Sequence, residues 1–416
     1  MTTLVLSTYD LGRQPFGVAS PAAWLRRAGV DVHAIDLSRD GLAPEAVAAA
    51  SLVAFYLPMH TATRLALPMI DRVRAINPAA TICAYGLYAP LNEAVLREHG
   101  VSVILGPEAE DDLVALATGR TGGTDVPPSR QLPRLNFIAP DRSGLPSLDR
   151  YASLQMPDGS TKVVGATDAS RGCKHRCRHC PIVPIYDGQF RVVPVDVVMA
   201  DVASQVAHGA THITFGDPDF FNGPTHARKI VEALHHQFPA VTYDVIIKVE
   251  HLLAHRELLA TLVKTGCLFV TSAVESVDDR VLEQLDKGHT RADFITAAAL
   301  CRSAGLTLVP TFVAFTPWTT VETYLDLLTV VDDLGLTDHV SPVQLAIRLL
   351  VTWQSRLLEL SDIQAVIGPF DPTTLTYPWK HPDPRVDELQ RTMMELANAP
   401  RVSRSAIPYM NEPWYC

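Results

Sequence analysis

No stretch of the 416-residue chain holds the roughly eighteen consecutive apolar residues that a membrane-spanning helix needs. The first residues, Met1-Thr2-Thr3-Leu4-Val5-Leu6-Ser7, lack the basic start and cleavage pattern of a secretory leader, so a cytoplasmic location is expected. An excess of positive charge is also missing: 35 Lys and Arg against 45 Asp and Glu leave a net charge of −10. That balance argues against a nucleic-acid partner, which needs a basic stripe, and nothing points to a membrane partner. Cysteine is sparse, with seven residues in the whole chain, which excludes a disulfide scaffold. What is present is an apolar content of 47% with 19% charged residues, the balance of a folded soluble chain long enough for two domains.

Short apolar runs near residues 4–7, 32–35, 52–57, 81–85 and 101–105 alternate with helical patterns. This spacing predicts a Rossmann-like parallel sheet over residues 1–118, with ligand-facing loops at Thr8–Gln14, Pro58–Thr61 and Gly86–Tyr88, where its strands end. Between residues 119 and 155 the periodicity collapses among Gly122, Gly123, Pro127, Pro128, Pro133, Pro140, Gly144 and Pro146, as in a linker. A second series follows, with candidate strands at 163–167, 212–215, 244–249, 268–273, 307–312 and 343–349. Six βα units predict an α/β partial (β/α)6 barrel over 156–352, followed by a helical extension and tail over 353–416.

Seven cysteines divide unequally. Cys83, Cys267, Cys301 and Cys416 lie apart, whereas Cys173, Cys177 and Cys180 share the run Arg171-Gly172-Cys173-Lys174-His175-Arg176-Cys177-Arg178-His179-Cys180-Pro181. The C-x3-C-x2-C spacing offers three thiolates just after the first barrel strand, the usual ligand type for iron–sulfur clusters. Three ligands on a four-iron cube leave one iron open. Lys174, Arg176 and Arg178 are expected to offset the cluster's charge and favour thiolate. The alternative is zinc, with His175 or His179 as a fourth ligand.

Spacing, position and the segments below together resemble the radical S-adenosylmethionine (SAM) superfamily, in particular the branch with an amino-terminal cobalamin-binding-type domain. The resemblance implies a [4Fe–4S] cluster on Cys173, Cys177 and Cys180, with SAM chelating the open iron. It further implies reductive SAM cleavage, usually to a 5′-deoxyadenosyl radical, and a one-electron donor such as flavodoxin or ferredoxin. In Ile213-Thr214-Phe215-Gly216-Asp217-Pro218-Asp219-Phe220-Phe221-Asn222, the resemblance makes Gly216, Asp217 and Asp219 candidates for SAM's amino group, since an ammonium wants acceptors. The bland alternative is a strand-to-helix turn with an Asp cap.

Lys248 and Glu250 close the third candidate strand and, by alternation, should share one face toward the barrel mouth, as cofactor contacts or as an ion pair. Glu275 and Ser276 end the fourth strand, where the resemblance places contacts to SAM's ribose and carboxylate. Gln344 and Arg348 share a face of the sixth, with Arg348 fit to grip a carboxylate or to form a structural ion pair. The superfamily's cobalamin domains often use a D-x-H-x-x-G histidine; this chain has only His60 in Pro58-Met59-His60-Thr61, without that context. The front domain therefore binds cobalamin without that ligand, binds substrate on the Tyr9–Gln14 loop, or binds no cofactor. Cys416, behind Trp414 and Tyr415, is either a catalytic tail thiol or a free terminal one, and Cys267 and Cys301 read as core residues.

The sequence thus points to a radical SAM enzyme acting on a small molecule or natural-product intermediate. Radical methylation, rearrangement and carbon–sulfur or carbon–metalloid bond formation all remain open. The competing class is a non-catalytic zinc or iron–sulfur ligand sensor.

Overall fold

A computed structural model describes residues 2–120, 132, 135–399 and 409–410. Cys416 and the glycines and prolines at 122–133 lie outside the described residues. The front sheet holds β1 (Thr2–Ser7), β2 (Asp31–Asp36), β3 (Ala50–Tyr56), β4 (Thr81–Tyr85) and β5 (Val103–Ile104) in the order β2-β1-β3-β4-β5, all parallel. Side chains alternate between its two faces, and both faces are apolar. Leu4, Leu6, Val53 and Phe55 enter one core, while Val5, Leu52, Ala54 and Cys83 enter the other. A sheet covered by helices on both sides requires this continuous apolar run. Its order reverses between β1 and β3, so the cleft at their carboxyl ends is the expected ligand position.

The second sheet contains β6 (Ser153–Gln155), β7 (Thr161–Thr167), β10 (His212–Phe215), β11 (Thr242–Ile246), β12 (Cys267–Glu275), β13 (Thr307–Phe312) and β14 (Tyr409–Met410). Five of these, β7, β10, β11, β12 and β13, are parallel neighbours and form the curled half-barrel. A separate antiparallel pair, β8 (Ser170–Gly172) and β9 (Phe190–Val192), leads into the cysteine loop. Helices Val195–Ala207, Pro224–Gln237 and Arg291–Ala304 lie between the parallel strands, Val321–Asp333 follows the last of them, and together they bury Val202, Ile230, Phe294 and Leu327 in one large core.

Two strand expectations are corrected. The segment proposed as a sixth strand at 343–349 opens as the 3-10 turn Pro342–Leu345 and pairs with the chain after β13 at the isolated bridge Phe315–Arg348. Here the Gln344 side-chain Oε1, rather than a strand carbonyl, accepts the Phe312 N–H at 3.1 Å. Likewise β11 stops at Ile246 and does not continue to Val249. The Lys248 carbonyl instead accepts from the His251 and Leu252 amides and starts the helix Val249–Ala254. Lys248 and Glu250 therefore occupy a helix start, not one face of a strand.

The described part of the expected linker is pinned down. Arg142 pairs with Asp201 at 2.8 Å, donates to the Gln14 amide oxygen at 3.0 Å and donates to the Ala166 carbonyl at 2.6 Å. It thus ties the β1 loop to the half-barrel. Two further ion pairs cross between the halves: Arg171–Glu110 at 2.7 Å and Arg191–Glu108 at 3.1 Å. The front sheet's ligand edge is held over the barrel mouth.

Candidate active site at the half-barrel mouth

Cys173 follows β8 directly. Gly172 before it has φ +78°, and a Cβ there would sit 2.6 Å from the Gln189 carbonyl, so the turn that launches the loop needs glycine. Asn222 holds the loop from the other side: its Oδ1 accepts from Lys174 N at 3.2 Å and lies 3.8 Å from the Cys173 thiol. Arg178 donates to the carbonyls of Glu283 and Gln284 at 3.0 and 2.9 Å, and Arg356 donates to the Arg176 carbonyl at 2.9 Å. The loop's basic residues thus face carbonyls, or Asp187 in the case of Arg176, and Lys174 is exposed. Their expected role as counter-charges to the sulfurs is corrected.

The positive charge near the sulfurs belongs to Lys287. This buried residue senses both Cys177 and Cys180, and its Nζ lies 3.3 Å from Glu275 Oε1. Burial pushes the Cys173 thiol up, and pushes that of Cys180 up to about 12, so the free thiols are neutral. Each of these two thiols is also raised by neighbouring cysteines, so the three converge. They do not converge as tightly as one ion requires. A zinc ion about 2.3 Å from each thiolate would hold the sulfurs roughly 3.8 Å apart. Among the described residues, only His175, Asp219 and His251 form a group of three ligand atoms all within 4.8 Å of one another. A wider inorganic cluster fits the cysteines better than zinc.

Glu275 ends β12 with φ +68°, a left-handed conformation that costs a non-glycine residue about 1–3 kcal/mol and aims its carboxylate inward. Burial raises its pKa, but Lys287 and then His179, whose Nε2 lies 3.2 Å away, outweigh burial and hold it at about 2. His179 is thereby engaged with Glu275. Ser276 Oγ accepts from the Asp278 amide at 3.1 Å and shapes the next turn.

Asp217 accepts from Ser170 Oγ at 2.5 Å and from Ala169 N at 2.9 Å, tying β10 to the start of β8. Gly216 lies against Asp168, since a Cβ there would come 2.5 Å from the Asp168 carboxylate. Asp219 is fully buried and faces His175 and His251. Lys248 Nζ is 3.5 Å from Glu250 Oε2.

Arg348 is removed from the site: it pairs with Asp387 at 2.6 Å, donates to the Trp379 carbonyl at 2.7 Å and stacks on the Trp379 ring. The structural reading of this residue prevails. His60 is buried with Nε2 2.6 Å from the Thr374 carbonyl, and burial lowers its pKa, so it faces no cofactor.

Sequence reasoning missed Lys287 and His289. Buried His289 engages the Val274 backbone through its ring. Burial, then Lys287 and Lys248, lower its pKa to about 4, so it is neutral in a strongly polar pocket. Its remaining ring nitrogen, beside Lys287, Lys248 and Glu275, is what a bound polar ligand would satisfy. The sequence signal was the polar run Asp286-Lys287-Gly288-His289 just after the short helix Asp279–Gln284.

Above the cysteine loop, a cleft of ≈ 200 Å³ opens between the two halves. Tyr56, Tyr85 and Leu87 line it from the front sheet, and Asp168, Arg171 and Tyr186 from the half-barrel. Its wall contains no His, Cys or Met. The cleft can receive a partly apolar ligand, and the oxygen donors on its wall are the carboxylates of Asp168 and Glu110 and the hydroxyls of Ser170, Tyr56, Tyr85 and Tyr186.

Comparison with known proteins agrees with this geometry. Residues 168–332 match the radical SAM superfamily. Hopanoid C-3 methylase from Methylococcus capsulatus is 23% identical over 335 residues, covering 76% of this chain and 64% of that protein. A tRNA-2-methylthio-N(6)-dimethylallyladenosine synthase from Bordetella petrii is 23% identical over 290 residues, covering 64% of this chain and 55% of that one. The chain thus spans between half and two-thirds of the length of these relatives. In fold it is similar to the cobalamin-dependent radical SAM enzyme OxsB with aqua-cobalamin bound, at TM-score 0.68 and 15% identity, over 94% of this chain and 66% of that one. It is also similar to the radical SAM methyltransferase TsrM from Kitasatospora setae, at TM-score 0.66 and 15% identity, over 96% and 89%. Residues 168–332, which hold the three-cysteine loop and most of the half-barrel, are therefore a radical SAM domain.

Proposed function

We propose that this chain is a radical SAM transferase that methylates a small molecule, using a [4Fe–4S] cluster held by Cys173, Cys177 and Cys180. Its working parts are a front domain ending near residue 118, a half-barrel over 156–352 and the cleft between them. The cleft carries the proposal: it joins the ligand edge of the front sheet to the mouth where the cysteines converge. Methylation is favoured because a methylase is among the sequence relatives and a methyltransferase shares the fold across most of its length.

When bound, the cluster supplies the electron that cleaves SAM. The chain's residues bind and shield. Lys287 balances thiolate charge, and Glu275, fixed by Lys287 and His179, presents an ionised acceptor to ribose hydroxyls. His289 donates or accepts on the same ligand. Backbone groups at Gly216 and Asp217 receive SAM's ammonium. Tyr56, Tyr85 and Leu87 would hold a cobalamin in the cleft, where it would supply methyl-transfer chemistry. A flavodoxin- or ferredoxin-type protein supplies electrons.

The test is anaerobic incubation of reconstituted protein with SAM and dithionite, with and without cobalamin. Formation of 5′-deoxyadenosine or S-adenosylhomocysteine, dependent on Cys177, supports the proposal. Colourless protein with stoichiometric zinc and no SAM turnover supports the sensor alternative and overturns it.

A further inference from the structure

The residues assigned to SAM do not account for a second convergence beside the cysteine loop. His175 lies inside that loop, Asp219 follows β10, and His251 sits in the helix Val249–Ala254. Asp219 Oδ2 is 2.6 Å from His251 Nδ1 and 3.2 Å from His175 Nε2. These are ion-pair distances, and both imidazoles act on the Asp219 carboxylate. Each of the three atoms is buried and has no partner outside this group. Three lone-pair donors from three separate elements point at one volume, and the two imidazole rings lie 4.6 Å apart at 57°.

We infer that His175, Asp219 and His251 form a mononuclear site for a divalent first-row metal ion, Zn(II) or Fe(II), distinct from the cluster. Metal–nitrogen and metal–oxygen bonds of about 2.0–2.2 Å place neighbouring ligand atoms roughly 3 Å apart; here the Asp219–histidine separations are 2.6 and 3.2 Å, and all three atoms lie within 4.8 Å of one another. Two histidines and one carboxylate are a recurrent set for both ions and leave positions open.

The surroundings are those of ligands, not of a chance contact. The second ring nitrogen of His175 lies 3.5 Å from Glu250 Oε2, the carboxylate–histidine arrangement that orients a ligating imidazole. Glu250 in turn is 3.5 Å from Lys248 Nζ. Asp219 Oδ1 is occupied by the Phe221 amide at 3.2 Å, which leaves Oδ2 free for the ion. The site is nearly closed, with His175 13% exposed and the other two ligand side chains at 5% or less. The ion would tie the cluster loop to β10 and to the helix after β11, three elements that otherwise meet only through side chains.

The experiment is elemental analysis of the full-length, anaerobically purified and reconstituted protein, paired with X-ray absorption at the zinc edge and Mössbauer spectroscopy of iron. The expected result is one metal per chain beyond the cluster, as zinc in an N/O shell or as a high-spin ferrous ion. His251→Ala and Asp219→Asn should remove that metal while the cluster's visible absorbance and iron remain. Cys177→Ala should do the reverse, losing cluster iron and keeping the extra metal, so failure of this site and failure of the cluster assignment are distinguishable. Co(II) titration of the wild type gives a readout independent of any variant: one equivalent should bind with visible d–d bands of N/O ligation. No metal beyond the cluster, together with no stoichiometric Co(II) uptake, would mean a hydrogen-bonded His–Asp–His relay alone and would overturn the inference. Extra metal that His251→Ala leaves in place would overturn it equally.

Discussion

Replacing Glu110 with Ala removes the front domain's half of an ion pair that crosses to the half-barrel. In the folded protein Arg171 Nη2 lies 2.7 Å from Glu110 Oε1, with side chains only 10% and 3% exposed. Ser20 Oγ donates to the same carboxylate oxygen at 2.8 Å, and the guanidinium lies over the rings of Phe16 and Phe137. With Glu110 gone, the Arg171 cation loses its ion-pair partner and is left among aromatic rings, with Asp168 and Glu108 acting on it only through space. Breaking one side of such a buried pair costs about 3–5 kcal/mol. At about 2.1 cal/mol/K per residue, the unfolding entropy of this chain is roughly 0.9 kcal/mol/K, so the Tm should fall by about 3–6 °C. Scanning calorimetry measures it. The cost arises from the stranded charge and not from lost attraction, so Arg171→Met with Glu110→Leu should recover most of the loss. A Glu110→Ala variant melting within 1 °C of wild type would refute this reasoning. So would a double variant as unstable as the two single changes added.

Three further outcomes follow from the site. Lys287→Met leaves the Glu275 carboxylate buried without its main counter-charge and should destabilise the cluster-free protein by about 3 kcal/mol at pH 7. Glu275 is held at about 2 in the fold, below its ordinary value of 4.5, so its stabilisation is present above pH 4.5 and lost as pH falls toward 2. The gap between Lys287→Met and wild type in urea unfolding should therefore narrow below pH 4. Asp10 behaves oppositely: burial raises it from 3.8 to about 7, so the fold loses stability as pH rises through that range. Because Asp10 keeps some solvent contact, Asp10→Asn should gain about 1–2 kcal/mol at pH 8 and almost nothing at pH 4. Finally, His60→Ala should leave the absorption spectrum of bound cobalamin unchanged, since His60 is engaged with the Thr374 carbonyl. A spectral shift would place His60 on the metal.

The parallel strands were legible because they are buried on both faces: Leu4-Val5-Leu6 and Leu52–Phe55 are apolar without interruption. Cys173, Cys177 and Cys180 were legible because ligand spacing within one loop is a local property. What failed depended on long-range partners. Nothing near Arg348 in sequence shows that Asp387 and Trp379 come back to claim it. The alternation at Lys248 and Glu250 imitated a strand because the helix that starts there is only six residues long. The loop's arginines read as cluster counter-charges, yet Arg178 reaches the carbonyls of Glu283 and Gln284, more than a hundred residues away, and Arg176 pairs with Asp187. Likewise His175, Asp219 and His251 meet only after β10 and β11 are laid side by side.

The central claim is that three cysteines hold a four-iron cluster whose open iron takes SAM. Electron paramagnetic resonance of the reduced, reconstituted protein with and without SAM tests it most directly. The account predicts about four irons per chain, broad absorbance near about 400 nm and a reduced-cluster signal that shifts when SAM is added. It also predicts that this signal disappears in Cys177→Ala. A signal indifferent to saturating SAM, or a chain that loads one zinc on these cysteines in place of iron, would contradict it.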